Sequence, residues 1–113
     1  IWLDAPCSAS GTLQKHPDLT WIGENIDLGL LCKTQEELLS AALPRLSPGG
    51  LLVYSVCSWF SQEGIDHQKT MLERYAQMQP VMIWSPTFGG STFQLKPLEW
   101  EGEGFQGFAL SPA

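Results

Sequence analysis

The sequence predicts an α/β fold, a sheet flanked by helices with ligands gathered beyond the carboxyl ends of parallel strands. Two strand-type runs and the helical spacing around them carry this prediction. Ile1 to Asp4 is a short apolar run that ends in a carboxylate and opens into Ala-Pro-Cys-Ser-Ala-Ser-Gly. Leu51-Leu52-Val53-Tyr54-Ser55-Val56 is a continuous apolar run set off by Ser47-Pro48-Gly49-Gly50, the pattern of a buried parallel strand. Apolar residues at helical spacing lie on both sides of this second run, giving the order strand, helix, strand, helix, strand.

Each element has a local reason. Ile1 to Asp4 reads as the end of a buried strand, and a chain starting there without an initiator Met predicts a missing N-terminal portion. Residues 11–32 carry turn signals and scattered apolar positions. Thr34-Gln35-Glu36-Glu37 has capping-box spacing ahead of Leu38, Leu39, Ala42, Leu43 and Leu46, predicting a helix over 34–46 whose last turn Pro44 bends or shortens. The strand over 51–56 places Cys57 at its carboxyl end. Glu63 to Met78 reads as a second helix, with Ser61 as N-cap, Ile65, Leu72 and Tyr75 on one face and Pro80 as its stop. Val81 to Trp84 and Phe105 to Leu110 read as further strands around an excursion through 85–98.

Composition narrows the function classes. A chain of 113 residues supports one core, and 43% apolar with 16% charged residues excludes disordered and fibrous classes. No apolar stretch approaches the roughly 20 residues of a membrane helix, and no signal peptide is visible. Six Lys plus Arg against twelve Asp plus Glu give a net charge of −6, so any nucleic-acid partner needs basic surface from elsewhere. Cys7, Cys32 and Cys57 have no CxxC spacing, which disfavours a disulfide scaffold or a metal site and suits reduced thiols in a cytoplasmic protein.

Adjacent parallel strands lie about 4.8 Å apart, so the strands ending at Asp4 and Val56 bring Cys7 and Cys57 to the same rim. Two readings stay open. The cysteines share a site in which Asp4 accepts hydrogen bonds from a ligand amine or amide, or Asp4 caps a turn and both cysteines fill the core.

The ordered motifs Asp4-Ala5-Pro6-Cys7-Ser8-Ala9-Ser10-Gly11-Thr12-Leu13, His16-Pro17-Asp18, Pro48-Gly49-Gly50 through Val56-Cys57-Ser58, and Gly102-Glu103-Gly104-Phe105 resemble the Sun (Fmu) family of RNA cytosine-5 methyltransferases, its bacterial ribosomal RNA members above all. The resemblance runs over almost the whole chain. It implies S-adenosylmethionine as methyl donor and a Rossmann-like methyltransferase sheet, of which residues 1–113 form the C-terminal portion without the upstream donor-binding half. It also implies RNA as partner, 16S ribosomal RNA in particular. Cys57 matches the family's nucleophile, which attacks carbon 6 of cytosine. Cys7 matches the cysteine of product release. Asp4 matches the residue that contacts the polar edge of the ring, and it is the one donor-binding candidate in the chain. The chemistry is independently reasonable, because a thiolate added across the ring makes carbon 5 nucleophilic.

Other matched positions carry two readings each. Lys15 and His16 meet an RNA phosphate or the target nucleotide, or form a rigid solvated turn. Pro6 shapes the catalytic loop, and Gly11 allows close approach of a ligand or is an ordinary loop glycine. Ser8 and Ser58 bond near the substrate or cap local backbone. Glu36 and Glu37 read as a helix start and solvated face. Trp21, Trp59, Trp84 and Trp100 read as packing residues, with Trp59, two positions after Cys57, the best candidate for stacking on a base instead. Cys32 reads as a small buried residue.

Three departures from the family pattern stand out. Val56 replaces a common Thr, Ser61-Gln62-Glu63-Gly64 replaces Pro-Glu-Glu-Asn, and Lys15 lacks basic neighbours. Without the upstream half the first strand's edge is bare, so residues 1–113 alone are expected to be inactive. The alternative functions are a tRNA cytosine-5 methyltransferase and a noncatalytic RNA-binding protein retaining the fold. A cysteine hydrolase is weaker, since neither thiol has a placed His–carboxylate pair.

Overall fold

The computed structural model describes residues 1–10, 27–84, 89–95 and 105–112. Strand β1, Trp2–Asp4, runs parallel to β2, Leu52–Val56, in a register that sets Asp4 beside Ser55. The helices α1, Leu28–Ala42, and α2, Ile65–Arg74, are placed around β2 in chain order. Three further strands complete the larger sheet: β3 at Met78–Pro80, β6 at Thr92–Leu95 and β7 at Phe105–Pro112. Between β3 and β6 a separate ribbon joins β4, Ile83–Trp84, to β5, Gly89–Gly90. The sheet order is β1-β2-β7-β3, with β6 also on β7. β7 is antiparallel to β2, β3 and β6, so the sheet is mixed and β1–β2 is its parallel pair among the described residues.

Alternation along β2 decides which side is core. Leu52, Tyr54 and Val56 are buried and pack with Leu39, Leu43, Met71, Phe108 and Leu110. Each such apolar side chain contributes about 1.5–3 kcal/mol by leaving water. The Tyr54 and Phe108 rings stack with centroids 4.9 Å apart. Val53 and Ser55 face the other side and are half-buried, so β2 is not buried on both faces as its continuous apolar run suggests. Val56 is 1% exposed, which puts its departure from Thr in the core. Gly107 is required where β7 crosses β2: a Cβ there would lie 2.0 Å from the Tyr54 carbonyl oxygen.

Several boundaries differ from the sequence reading. β1 is not a buried strand: Ile1 and Trp2 are exposed, because among the described residues β1 has one neighbour. α1 starts at Leu28 rather than 34, because Asp27 accepts from the Leu30 backbone N–H at 3.1 Å and caps the first turn. Thr34 lies inside the helix, where its hydroxyl donates to the Leu30 carbonyl. The helix ends at Ala42, and Pro44 sits in a short 3-10 turn, Leu43–Arg45.

α2 is shorter than 63–78. A 3-10 turn, Ser61–Glu63, precedes it, and Gly64 rather than Ser61 occupies the N-cap, with no side-chain cap bond. Its inward residues are His67, Gln68 and Met71, with Leu72 and Tyr75 partly buried, whereas Ile65 is exposed. Polar residues turn inward because partners meet them: His67 bonds Gln35, and Gln68 donates to the Ser91 carbonyl at 3.0 Å. Pro80 does not stop the helix directly. It lies in β3, which among the described residues bonds β7 alone, and an edge strand tolerates its missing N–H. Glu36 lies on the outer side of α1, paired with Arg74 of α2.

Candidate active site

Two chain segments leave the sheet side by side. The parallel ladder extends one residue past β1, where the Ala5 N–H donates to the Ser55 carbonyl at 3.1 Å. Cys7 follows two residues later and Cys57 follows β2 directly, and their Sγ atoms lie 3.5 Å apart. Both side chains are half-buried, and Cys57 lines a cleft of about 340 Å³. Trp2, Val53, Phe93 and Phe105 give that cleft apolar walls, and Asp4 supplies its carboxylate. Trp2 Nε1 donates to Ser55 Oγ at 3.1 Å, and the Ser55 hydroxyl donates to Asp4 Oδ1 at 3.4 Å. The hydrogen bond of Asp4 thus runs across the strands to Ser55.

The sulfur contact acts on the ionisation of Cys7. The hydrogen bond to Cys57, reinforced by burial, holds the Cys7 thiol well above its ordinary range, against the pull of the Ala9 backbone N–H. Cys7 is therefore protonated at neutral pH. Ala9 itself has φ +58°, a left-handed conformation costing about 1 kcal/mol in a residue with a Cβ. Such local strain persists where surrounding bonds fix the loop.

Those bonds converge on Glu63, which is fully buried. Its Oε1 accepts from the Ser8 N–H at 2.8 Å and from Gln35 Nε2 at 3.1 Å. Its Oε2 accepts from the Ser8 hydroxyl at 2.7 Å and from the Ser58 hydroxyl. Gln35 Nε2 also donates to the Pro6 carbonyl at 2.8 Å. Its amide oxygen is left to accept from His67 Nε2 at 2.9 Å, which fixes the proton on that ring nitrogen. Burial pushes the His67 imidazole below its ordinary value, outweighing the carboxylates of Glu36, Asp66 and Glu63.

The loop after Cys57 is held as firmly. Ser10 Oγ accepts from the Trp59 N–H at 2.9 Å, and Gln106 Nε2 donates to the carbonyls of Ser58 and Phe60. Gly64 admits the Gln106 side chain, since a Cβ there would lie 2.0 Å from its Oε1. The backbone is fixed while the Trp59 and Phe60 side chains are exposed, so Trp59 is not a packing residue.

The structure brings Asp4, Cys7 and Cys57 to one rim, with Pro6 exposed beside them. It commits the Ser8 and Ser58 hydroxyls to Glu63. Lys15, His16, Gly11, Trp21 and Trp100 lie outside the described residues, and Cys32 is half-buried with its thiol donating to the Gln62 carbonyl. Glu63, Gln35 and Gln106, whose side chains hold these loops, are residues that sequence reasoning missed. The signal for Glu63 was its place in Ser61-Gln62-Glu63-Gly64, where Glu persists at the third position of the family's Pro-Glu-Glu-Asn.

A mixed α/β sheet with a cleft at the carboxyl ends of its parallel strands is the Rossmann-like architecture of methyltransferases. The family model for the 16S rRNA methyltransferase RsmB/F matches residues 1–106, and the chain belongs to that family. It is 42% identical over 105 residues to ribosomal RNA small subunit methyltransferase B of Salmonella paratyphi B, and 41% to that of Salmonella paratyphi A. Each match covers 93% of this chain, which spans about a quarter (24%) of the relative's length. Among solved structures, PH0851 superposes with a TM-score of 0.89 at 31% identity, covering 97% of this chain and 26% of that one. NSun6 from Pyrococcus horikoshii with SFG superposes at 0.75 and 26% identity, covering 99% of this chain and 29% of that one.

Proposed function

We propose that the protein carrying this chain transfers a methyl group from S-adenosylmethionine to carbon 5 of cytosine in 16S ribosomal RNA. The observation that carries this reading is the Cys7–Cys57 sulfur pair, 3.5 Å apart, with Cys57 and Asp4 lining one cleft, in a chain of the RsmB/F family.

Cys57, as its thiolate, adds to carbon 6 of an unpaired or flipped cytosine, and the electron pair of the carbon 5–carbon 6 bond moves toward carbon 5. Asp4 accepts a hydrogen bond from the polar edge of the ring and stabilises charge as it redistributes. The cofactor, when bound, supplies the methyl group. Among this chain's residues, Asp4 and the apolar cleft walls suit the reacting end of such a donor. Its nucleoside portion is held by the upstream half of the domain, which also covers the bare edge of β1.

Product release restores the ring by loss of the carbon 5 proton and cleavage of the carbon 6–sulfur bond. The 3.5 Å between the Cys7 and Cys57 sulfurs supports assigning this step to Cys7. Once Cys57 is a neutral thioether, a weaker acceptor than a thiolate, Cys7 is held less strongly in its protonated form and, as its thiolate, accepts the proton. Pro6, Lys15 and His16 contact the RNA, which resides with its enzyme in the cytoplasm. Among the described residues no helix is long and apolar enough to cross a membrane.

The test is methylation of 16S ribosomal RNA by the full-length protein with a methyl-labelled donor, followed by nuclease digestion and mass spectrometry. Label on carbon 5 of one cytidine is the expected result. Label on another atom, or on transfer RNA alone, overturns it.

A further inference from the structure

We propose that Glu63 is a positioning residue that holds the Cys7 and Cys57 loops against each other and so sets the distance between their sulfurs. The inference rests on the two-cysteine reading above and extends it to a carboxylate five residues beyond Ser58.

Three relationships carry it. Ser8 follows Cys7 and Ser58 follows Cys57, and both hydroxyls land on the same oxygen, Glu63 Oε2. The other oxygen takes the Ser8 N–H and the Gln35 amide, and Gln35 also holds the Pro6 carbonyl. The residues on both sides of Cys7 are thereby tied to one carboxylate. Glu63 is rooted in the sheet as well: Tyr54 of β2 donates its hydroxyl to the Glu63 carbonyl at 2.6 Å, and the Glu63 N–H donates to the Phe60 carbonyl at 3.0 Å.

The energetics favour this role over an incidental buried polar cluster. Among the described residues the carboxylate's donors are a backbone N–H, two hydroxyls and an amide, all neutral. Burying a charge on neutral donors is costly, and apolar residues would fill the same space at lower cost. A carboxylate, unlike an apolar side chain or an amide, accepts from every one of these groups at once.

The test uses the full-length protein and a readout that needs neither RNA nor cofactor. Diamide oxidises the two thiols to a disulfide, taking one hydrogen from each to become a hydrazine, and the rate reports how often the sulfurs meet. E63Q presents an NH2 where an acceptor is needed. It is expected to slow formation of the Cys7–Cys57 disulfide about tenfold, the scale of one charge-assisted hydrogen bond, with the circular dichroism spectrum unchanged. Ser8→Ala and Ser58→Ala are expected to fall between. In methyl transfer the loss is expected in kcat, with the RNA KM within about twofold. A folded E63Q protein that oxidises at the wild-type rate overturns the proposal. If E63Q does not fold, Ser58→Ala decides by the same rate, and no slowing there overturns it. Slowed oxidation in a protein that methylates no cytosine sinks the function while leaving Glu63 in its positioning role.

Discussion

The Sγ atoms of Cys7 and Cys57 lie 3.5 Å apart although 50 residues separate them in the chain. The parallel register of β1 and β2 sets Asp4 beside Ser55, and each chain turns outward within a few residues. The contact is the chief cause that raises the Cys7 thiol. Cys57→Ala removes the chief cause of the raised Cys7 value, so Cys7 is expected to react with iodoacetamide about tenfold faster at pH 8 in that variant. An unchanged rate, read by mass spectrometry of the labelled peptide, contradicts that effect of the contact.

Stability is expected to fall at both ends of the pH scale. Cys7 and Tyr54 are raised in the fold, Tyr54 chiefly by burial, above ordinary values of 9.0 and 10.0. Above those values the unfolded chain loses protons that the fold retains, so stability drops as pH rises through and beyond 9.0 to 10.0. His67 is lowered from 6.5, so the unfolded chain gains a proton that the fold refuses, and stability drops below about pH 6.5. Urea melts of His67→Gln are expected to show a flatter acid limb, and those of Cys7→Ala a flatter alkaline limb.

Gly107→Ala is expected to destabilise the protein by about 3 kcal/mol or more. The added Cβ meets the Tyr54 carbonyl oxygen at 2.0 Å and the Phe93 ring at 2.6 Å. The first is backbone in a paired strand and moves only by opening the β2–β7 ladder. Chemical denaturation that shows less than about 0.5 kcal/mol contradicts this packing.

Tyr54→Phe isolates one buried hydrogen bond, that of the phenol to the Glu63 carbonyl at 2.6 Å. Its loss leaves a buried acceptor short of a partner and is expected to cost about 1–3 kcal/mol by urea melt. The ring stack with Phe108 is retained, so a larger loss points to repacking of the core.

The strand ends and their cysteines were legible because they are written locally, in apolar runs punctuated by Pro and Gly. The start of α1 was not, since Gly29 and the capping-box spacing at Thr34 mask the true cap at Asp27. The inner side of α2 was obscured because His67 and Gln68 bury only with the help of Gln35 and Ser91, residues 32 and 23 positions away. Apolar periodicity also carries no strand direction, so the antiparallel course of β7 emerged only from its pairing with β2. The sequence places Glu63 at the start of the second helix, and its burial rests on donors drawn from three segments, Ser8, Gln35 and Ser58.

The central claim is that Cys57 becomes bonded to the target cytosine during turnover. Full-length protein incubated with S-adenosylmethionine and 16S ribosomal RNA containing 5-fluorocytidine tests it directly, because fluorine replaces the proton whose loss releases the product. Denaturing electrophoresis followed by mass spectrometry of the linked peptide is predicted to place the RNA on Cys57, with no adduct in Cys57→Ala and a retained adduct in Cys7→Ala. An RNA link on Cys7, or none in a protein that still methylates cytosine, would contradict the account.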